Sequence, residues 1–418
     1  MLSLAIGLLA AVVTVPAGDG ASIQKAIDEV AAQGGGRVIV PAGEYRSPSL
    51  RLRSNVELHL AKGALLRGGT RSEDYFDFPT DVCAVCPEKS SRVFIYAWDA
   101  ENIAITGEGI IDGRAKEFFS RTESEWNFTW PKPEEPRPRM VQFVRCRNIR
   151  LEGVTFEDSP GWTMLIRLCE NLTVDNVFVN ADHRVINSDG IDLDGCRHVK
   201  IRNSRINTGD DCIIVRAMRE AGSDERIVCE DIEVSDCHLD SACQAFRMGC
   251  PSDDTIRNVR IRNIRASGYN GINFDYPVGY LRPTDEGYMD ISDIRVENFS
   301  GNFINCAVRM NVGPGVKLRR VADVTLRGFK VRSIHPLQFL GNADSPLVNV
   351  TLEDFTADVA GAKPYEARAT EPLKLVNCTF NGEKVPDATV VTPRGAREPL
   401  VRPKRQTSWE TVKQVKGQ

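Results

Sequence analysis

The chain has 418 residues, of which 42% are hydrophobic and 26% are charged, and its formal net charge is −4. This composition is that of a soluble globular protein with a sizeable core, and the lack of a basic excess argues against a nucleic-acid-binding surface. After residue 17 no apolar stretch is long enough to cross a membrane. We therefore expect neither a nucleic acid nor a membrane as a partner.

The first 17 residues form an apolar run that ends in Val15-Pro16-Ala17. An apolar segment followed by small residues is typical of a signal peptide, so residues 1–17 are interpreted as one and the protein as secreted or periplasmic. The alternative is a mis-assigned start codon, in which case residues 13–17 open the first strand.

An amphipathic helix is predicted over Ser22–Val30, with Ser22 as its N-cap. Gly34–Gly36 ends this helix, and Arg37–Gly43 is predicted as the first strand. The helix is expected to cover the open end of the structure that follows and to shield its core from solvent.

A short pattern recurs along the chain: an Asn, Asp or His followed by alternating apolar residues. The ten copies begin at Asn55, Asn102, Asn148, Asn171, His198, Asp231, Asn258, Asp293, Asp323 and Asn349. From Asn148 onward successive copies lie 23 to 35 residues apart. Alternation with period two marks strands with one buried face, and repetition on this length scale marks a solenoid. The sequence predicts an all-β, single-domain right-handed parallel β-helix over residues 18–362, standing as a monomer, with a C-terminal cap and tail at 363–418.

Four cysteines occupy one position of the repeat, two residues before its first residue. They are Cys146, Cys169, Cys196 and Cys229. The column predicts a small apolar ladder in the core, and disulfides between adjacent coils are the alternative. Cys83 and Cys86 form a lone Cys-x-x-Cys with no second pair at suitable spacing, so neither a metal nor a cofactor is expected.

Two acidic motifs, Asn187–Gly190 and Gly209–Cys212, lie within the repeat. They place Asp189 and Asp210 21 residues apart, which is about one coil, and Asp211 follows directly. Three carboxylates on neighbouring coils repel one another, so such a cluster is expected either to bind a cation or to cut a glycosidic bond.

Residues 137–216 carry four motifs in a fixed order. The motifs are Phe143–Asn148, Ser159–Thr163, Asn187–Asp192 and Gly209–Ile213. Together they closely resemble the glycoside hydrolase family 28 enzymes, the polygalacturonase-like pectin hydrolases, over about residues 18–272. The resemblance implies a right-handed β-helix and an inverting hydrolysis. It also implies Asp211 as the general acid, with Asp189 and Asp210 serving as base to hold and activate water.

Two signatures of that family differ in this chain. Where the family carries Gly-His-Gly, the repeat places Gln244, which hydrogen-bonds but does not titrate. Where the family carries Arg-Ile-Lys to bind a uronate carboxylate, this chain has Asn273-Phe274-Asp275. Asp275 would repel a uronate and instead suits a sugar hydroxyl, so plain polygalacturonan is not the expected substrate.

Further side chains are candidates for contact with a sugar. Three arginines suit the clamping of a carboxylate or sulfate, with a solvated surface role as the alternative; they are Arg216, Arg247 and Arg309. His183 precedes Asp189 by six residues and either lines the site or forms part of a turn. Trp126 and Trp130 lie in the irregular segment 114–138, and their aromatic faces suit a sugar ring.

The favoured function is an exported glycoside hydrolase acting on a pectin-like or other acidic polysaccharide or oligosaccharide. Long loops that close one end of the site would favour exo action. One alternative is a polysaccharide lyase on the same scaffold, which needs a Lys or Arg base near a carboxylate-bound Ca²⁺. The other is a non-catalytic carbohydrate-binding β-helix.

Overall fold

The computed structural model describes the chain in seven segments, and the side chain of Asp275 lies outside this description. The segments are residues 11–83, 90–120, 129–219, 223, 225–249, 252–276 and 289–400.

Three parallel sheets, A, B and C, run along the molecule, and each full coil adds one strand to each sheet in turn. Sheet A contains β1 Ala11–Thr14, β2 Gly36–Val40, β5 Val56–Leu60, β9 Glu101–Gly107, β12 Arg147–Glu152, β15 Glu170–Asp175, β18 Arg197–Arg202, β21 Val228–Ser235, β26 Arg320–Arg327, β29 Leu347–Glu353 and β32 Thr370–Val376. Sheet B contains β3 Gly43–Arg46, β6 Ala64–Arg67, β10 Ile110–Asp112, β13 Thr155–Glu157, β16 Phe178–Asn180, β19 Arg205–Thr208, β27 Lys330–Ser333, β30 Thr356–Val359 and β33 Thr379–Phe380. Sheet C contains β4 Leu50–Arg51, β8 Arg92–Trp98, β11 Arg139–Val144, β14 Met164–Arg167, β17 Ile191–Asp194, β20 Ile213–Arg216, β25 Val308–Val312, β28 Leu337–Leu340 and β31 Tyr365–Arg368.

Three long strands bend from one sheet into the next. They are β22 His238–Met248, β23 Thr255–Tyr276 and β24 Asp290–Phe303. The remaining short elements are β7 Phe76–Asp77, β34 Glu383–Lys384, β35 Ala388–Val390, a 3₁₀ turn at Ser72–Asp74, and the helices α1 Ser22–Ala32 and α2 Ala115–Phe118. Connections between parallel strands of one sheet are right-handed. The fold is therefore a right-handed parallel β-helix, and the predicted fold class is confirmed.

The alternating apolar residues of each strand point into the coil and stack on their counterparts in the next coil. Ile149, Leu172 and Val199 follow one another in register in this way, and all three are buried. The stacks merge into one hydrophobic core that extends from Val15 to Phe380. Burial of this stack, at about 25 cal/mol per Å² of apolar surface, is the main term that stabilises the fold.

The first residue of each predicted repeat adopts a left-handed backbone conformation, with φ between 52° and 64° at all ten positions. Asn and Asp tolerate this region better than other residues that have a Cβ atom. Their side chains also form a ladder, in which Asn148 Nδ2 donates to Asn102 Oδ1 at 2.8 Å and Asn171 Nδ2 donates to Asn148 Oδ1 at 3.0 Å. The repeat residue is therefore the one that turns the chain into sheet A.

The cysteine column lies in the core, as predicted. The four cysteines of the column are buried, and each of them is a free thiol. The Cys146 backbone N–H lies 3.3 Å from the Cys169 sulfur, which links adjacent coils without a covalent bond.

Helix α1 packs against the strands of the first coils and covers one end of the core through Ile23, Ile27 and Val30. Its N-cap differs from the prediction, because Ser22 is already the first helical residue. The Asp19 carboxylate instead accepts the Ser22 backbone N–H at 3.2 Å. Neither α-helix in the described part of the chain has the length and apolar character that a membrane crossing requires.

Both predicted boundaries of the β-helix differ from the structure. Strand β1, at Ala11–Thr14, pairs in parallel with β2, so the coil begins before residue 18. At the other end β31 and β32 continue the parallel repeat beyond residue 362. Strand β35 then pairs antiparallel with β32, which covers the last edge of sheet A.

We predict that Asn148→Ala lowers the free energy of unfolding by about 2 kcal/mol, because alanine is strained at φ 55° and both ladder hydrogen bonds are lost. Asn148→Gly relieves the backbone strain and loses only the hydrogen bonds, so it should lower the free energy of unfolding by less than Asn148→Ala does. Urea unfolding followed by circular dichroism measures both, and equal stability of the two variants would contradict the backbone argument.

Candidate active site

The two acidic motifs come together because β17 and β20 are paired in register. Ile191 lies opposite Ile213, and the Gly190 N–H donates to the Asp211 carbonyl at 2.8 Å. Asp189 and Asp211 therefore occupy the same position of adjacent coils, just before the strands of sheet C begin. Asp211 rather than Asp210 is the register partner of Asp189.

Two glycines allow this close approach of the backbones. A Cβ atom on Gly190 would lie 2.4 Å from the Cys212 carbonyl oxygen, and one on Gly209 would lie 2.3 Å from the Val185 carbonyl oxygen. Neither contact is sterically acceptable, so any side chain at these positions would separate the coils that carry the carboxylates.

The third carboxylate, Asp210, is partly exposed and is held by short-range contacts. Its Oδ1 accepts the backbone N–H of Asp211 at 3.0 Å, and its Oδ2 accepts from Asn187 Nδ2 at 3.4 Å. The Asp210 carbonyl also accepts the hydroxyls of Thr208 and Ser241, each at 2.6 Å. The turn that presents Asp210 is thus fixed by both neighbouring coils.

Burial and mutual repulsion favour the protonated forms of Asp189 and Asp210. Burial raises the pKa of Asp189 well above its ordinary value, and the charges of Asp210, Asp192 and Asp211 raise it further. Burial and the Asp211 charge raise the pKa of Asp210 to about 7, although the Arg247 guanidinium opposes the shift. Asp210 thus titrates near neutral pH, which is a property of groups in catalytic sites.

Arg247, on β22, forms an ion pair with Asp211. Its Nη1 donates to Asp211 Oδ2 at 2.8 Å, and the Asp211 side chain is fully buried whereas that of Arg247 is 18% exposed. Asp211 Oδ1 has no hydrogen-bond partner. Arg247 therefore contacts the acidic cluster through Asp211, and its predicted contact with a substrate carboxylate or sulfate stays a prediction.

Arg216 lies beneath the site rather than at its surface. It is 1% exposed, its guanidinium forms an ion pair with the buried Asp192, and it lies 4.4 Å from the centre of the Trp162 ring. Burial raises the pKa of Asp192 to about 7, although the Arg216 charge opposes the shift. A second buried pair joins Arg167 to Asp194, which lies two residues after Asp192 on β17. These pairs give the floor of the site a fixed charge pattern.

Three further candidates share sheet C with the carboxylates. Gln244 follows Asp211 in its column, since the Cys212 N–H donates to the Gln244 carbonyl at 2.9 Å. Arg247, Asn273 and Arg309 lie opposite one another on successive coils. The Oε1 atom of Gln244 and both amide atoms of Asn273 are buried without a hydrogen-bond partner. Such polar atoms need a water or a ligand to satisfy them.

The remaining candidates lie in other surroundings. His183 is exposed, and its Nε2 lies 3.9 Å from the Asp240 carboxylate. Trp130 is 5% exposed and packs against Phe119, with Arg184 over its ring, so it presents no open aromatic face. Asp275 lies opposite Asn311 on sheet C, but its side chain is outside the described part of the structure. Trp126 lies outside the described residues altogether.

Sequence reasoning missed two residues that shape the site. Arg137 is buried and donates to the Pro160 and Ile186 carbonyls and to Asn187 Oδ1, which supports the loop that carries Asp189. In the sequence, Arg137 is marked only by its position at the start of residues 137–216, the segment that contains the four motifs. Cys243 lies beside Asp210 and Asp211, where a hydrogen bond from its thiol opposes the rise in the Asp210 pKa. No sequence pattern marks it, because it is outside the cysteine column.

Residues 37–229 match the glycosyl hydrolases family 28. The match covers just under half of the chain. It includes both acidic motifs and ends before Gln244, Arg247 and Asn273. The coils that carry the three carboxylates are thus similar to this family.

Known relatives and structures are similar to this chain to different extents. A probable polygalacturonase of Vitis vinifera is 27% identical over 218 residues, which are 48% of this chain and 42% of the relative. An endo-polygalacturonase of Pectobacterium carotovorum is 27% identical over 47% of this chain and 51% of the relative. This chain therefore spans about half the length of these relatives.

The structure of a hyperthermoactive exopolygalacturonase from Thermotoga maritima superimposes on this chain with a TM-score of 0.64. It is 24% identical and covers 90% of this chain and 92% of its own. At this identity the superposition supports the shared β-helix and does not by itself assign a substrate.

We predict that Asp210→Asn stabilises this protein at pH 8 by about 2–4 kcal/mol and has little effect near pH 4. The folded protein holds the Asp210 proton up to about pH 7 while the unfolded chain releases it near 3.8. The ionised group therefore lowers stability as the pH rises between these values. Thermal unfolding of both proteins across this range measures the effect. Asp358→Asn, on a partly exposed strand of sheet B, serves as the matched control. If Asp210→Asn raised the free energy of unfolding by the same amount at every pH, the effect would not come from ionisation of Asp210, and the prediction would be wrong.

Proposed function

We propose that this protein is an inverting glycoside hydrolase that acts on a carbohydrate carrying acidic groups. The observation that carries the proposal is that Asp189 and Asp211 occupy one position of adjacent coils with Asp210 directly before Asp211, within the segment that matches family 28. A buried cluster of like charges destabilises a fold, and hydrolysis of a glycosidic bond is a chemistry that requires one.

In the proposed reaction Asp211 donates its proton to the glycosidic oxygen as the bond to the anomeric carbon breaks. Asp189 and Asp210 hold a water molecule and accept its proton while the water oxygen attacks the anomeric carbon from the opposite face. The products are a free leaving alcohol and a sugar of inverted anomeric configuration. Proton exchange with solvent returns the three carboxyl groups to their starting states.

Arg247 connects this reaction to the charge of the substrate. Its guanidinium donates to Asp211 Oδ2, the carboxyl group that has to carry the proton for general-acid catalysis. A carboxylate or sulfate on a neighbouring sugar would attract the guanidinium and draw it from Asp211. The acid would then become available only when an acidic substrate is bound. Arg309, two coils further along sheet C, is placed to extend this interaction.

The polar groups around Arg247 support recognition of hydroxyls beside the acidic group. Gln244 and Asn273 offer neutral donors and acceptors where a uronate-binding site would need a cation. The substrate we propose is therefore a pectin-like or other acidic glycan with a neutral residue at the cleavage position, rather than plain polygalacturonan. Exo action, a monomeric state and export to the periplasm or medium remain predictions from the sequence.

We expect Asp211→Asn to lower kcat/KM on the cleaved glycan by about 10²–10⁴ without loss of fold. Asparagine keeps the shape of the side chain and its hydrogen bond from Arg247 but has no proton to donate. The assay measures reducing-end release across polygalacturonan, rhamnogalacturonan, sulfated galactans and neutral oligosaccharides. Proton NMR of the first product reports the anomeric configuration.

Three outcomes would overturn this assignment. A retained anomeric configuration excludes the inverting mechanism, and an unsaturated product that absorbs ultraviolet light indicates a lyase. Binding of one glycan by the wild type and by Asp211→Asn with no cleavage by either indicates a carbohydrate-binding protein.

We predict that Arg247→Ala reduces the preference for an acidic over a neutral glycan by at least about 10-fold in kcat/KM, because one charge-assisted bidentate contact is lost. Arg247→Lys, which keeps the charge without the planar fork, should retain part of the preference. Arg257→Ala, on the exposed face of sheet A, is the control. An unchanged ratio in Arg247→Ala would show that Arg247 acts only on the acid and not on the substrate.

A further inference from the structure

Cys243 places a thiol against the two carboxylates of the Gly209–Cys212 turn. One oxygen each of Asp210 and Asp211 and the sulfur of Cys243 all lie within 4.8 Å of one another. Cys243 is also the one partly exposed thiol among the cysteines that the structure describes, since the other nine are buried. It is therefore the described cysteine that a solute can reach most readily.

Other buried polar atoms around this cluster lack a partner. Gln244 is 7% exposed, its Nε2 donates to the Cys243 sulfur at 3.3 Å, and its Oε1 atom has no hydrogen bond. Asp189 is 4% exposed, and its Oδ1 has no hydrogen bond either. A buried acceptor without a donor is unfavourable, and a cation satisfies several acceptors at once.

We propose that Cys243, Asp210 and Asp211 bind a soft divalent cation such as Zn²⁺ or Cd²⁺, which blocks the catalytic carboxylates. Tetrahedral zinc takes sulfur and oxygen ligands at about 2.3 and 2.0–2.2 Å, so small side-chain rotations bring the three ligand atoms into place. Asp211 Oδ1 is available for this bond, whereas Asp211 Oδ2 holds Arg247. The inhibitory part of this proposal depends on the proposed hydrolase function, and the binding part does not.

The thiol decides which cations this site takes. Ca²⁺ and Mg²⁺ prefer six or more oxygen ligands, whereas thiolate sulfur selects softer ions. On binding, the Cys243 S–H bond breaks, the proton leaves to solvent and the sulfur electron pair forms the bond to the metal. No oxidation takes place, and a chelator reverses the step.

The test is a Cd²⁺ titration of the full-length protein. Binding is measured from the absorbance of the sulfur-to-metal charge-transfer band and by calorimetry. We expect the wild type to bind one more Cd²⁺ than Cys243→Ser, or to bind its first Cd²⁺ at least about 10-fold more tightly, as expected when a ligand is lost. Cys237→Ser, which removes a buried thiol elsewhere in the coil, is the matched control and should titrate like the wild type. Cys243→Ala replaces Cys243→Ser if the serine variant unfolds. Identical titrations of the wild type and the Cys243 variants would overturn the site.

A second arm measures hydrolysis with and without Cd²⁺, each variant being compared with its own metal-free rate. We expect at least about 10-fold weaker inhibition of Cys243→Ser than of the wild type. If Cd²⁺ binding depends on Cys243 but does not slow cleavage, the proposal that the bound metal blocks the catalytic carboxylates is wrong. If no glycan is cleaved by any protein, the proposed hydrolase function fails, and the titration alone still decides the metal site.

Discussion

Register between coils is the constraint on which the rest of this structure depends. A strand inside the stack satisfies its backbone by pairing with the coil before and the coil after it, so a shift of one residue would reverse the side chains that face the core. The left-handed Asn and Asp residues keep that register, since each turns the chain at one point of the coil and several of them, such as Asn148, also hydrogen-bond to the equivalent residue of a neighbouring coil. Variable loops are tolerated because they leave this stack unchanged.

The acidic site is a consequence of the same register. Asp189 and Asp211 are brought together by the pairing that aligns Ile191 with Ile213. The two carboxylates repel each other. The buried Arg216–Asp192 ion pair beneath the site and the ion pair of Arg247 with Asp211 partly offset this repulsion. Removing one partner of such a buried pair leaves an uncompensated charge, which destabilises a protein strongly. Stability and reactivity are therefore coupled at this point of the coil.

Arg247 and Cys243 are the basis of the two proposals made for this site beyond its three carboxylates. Arg247 donates to Asp211 and would connect it to the charge of a bound glycan, and Cys243 lies beside Asp210 and Asp211 and would add a soft ligand to two hard ones. Both residues lie on the coil after the Asp pair, in the stretch where the sequence departs from the Gly-His-Gly of family 28. Under these proposals, a change in one coil would alter substrate recognition and metal sensitivity while the neighbouring coils keep their packing.

The sequence by itself determined the β-helix, the turning residues and the cysteine column, because each is a periodic signal that follows from alternating burial along single strands. It also placed Gln244, Arg247 and Asn273 on the coils after the Asp pair. Only the tertiary structure decided that Asp211 pairs with Asp189, that Arg216 is buried against Asp192, and that Cys243 touches the carboxylates. These relations join residues on different coils, and loops of unequal length hide their spacing in the sequence. Side-chain direction at a coil edge is set by packing against neighbours, which no local pattern records.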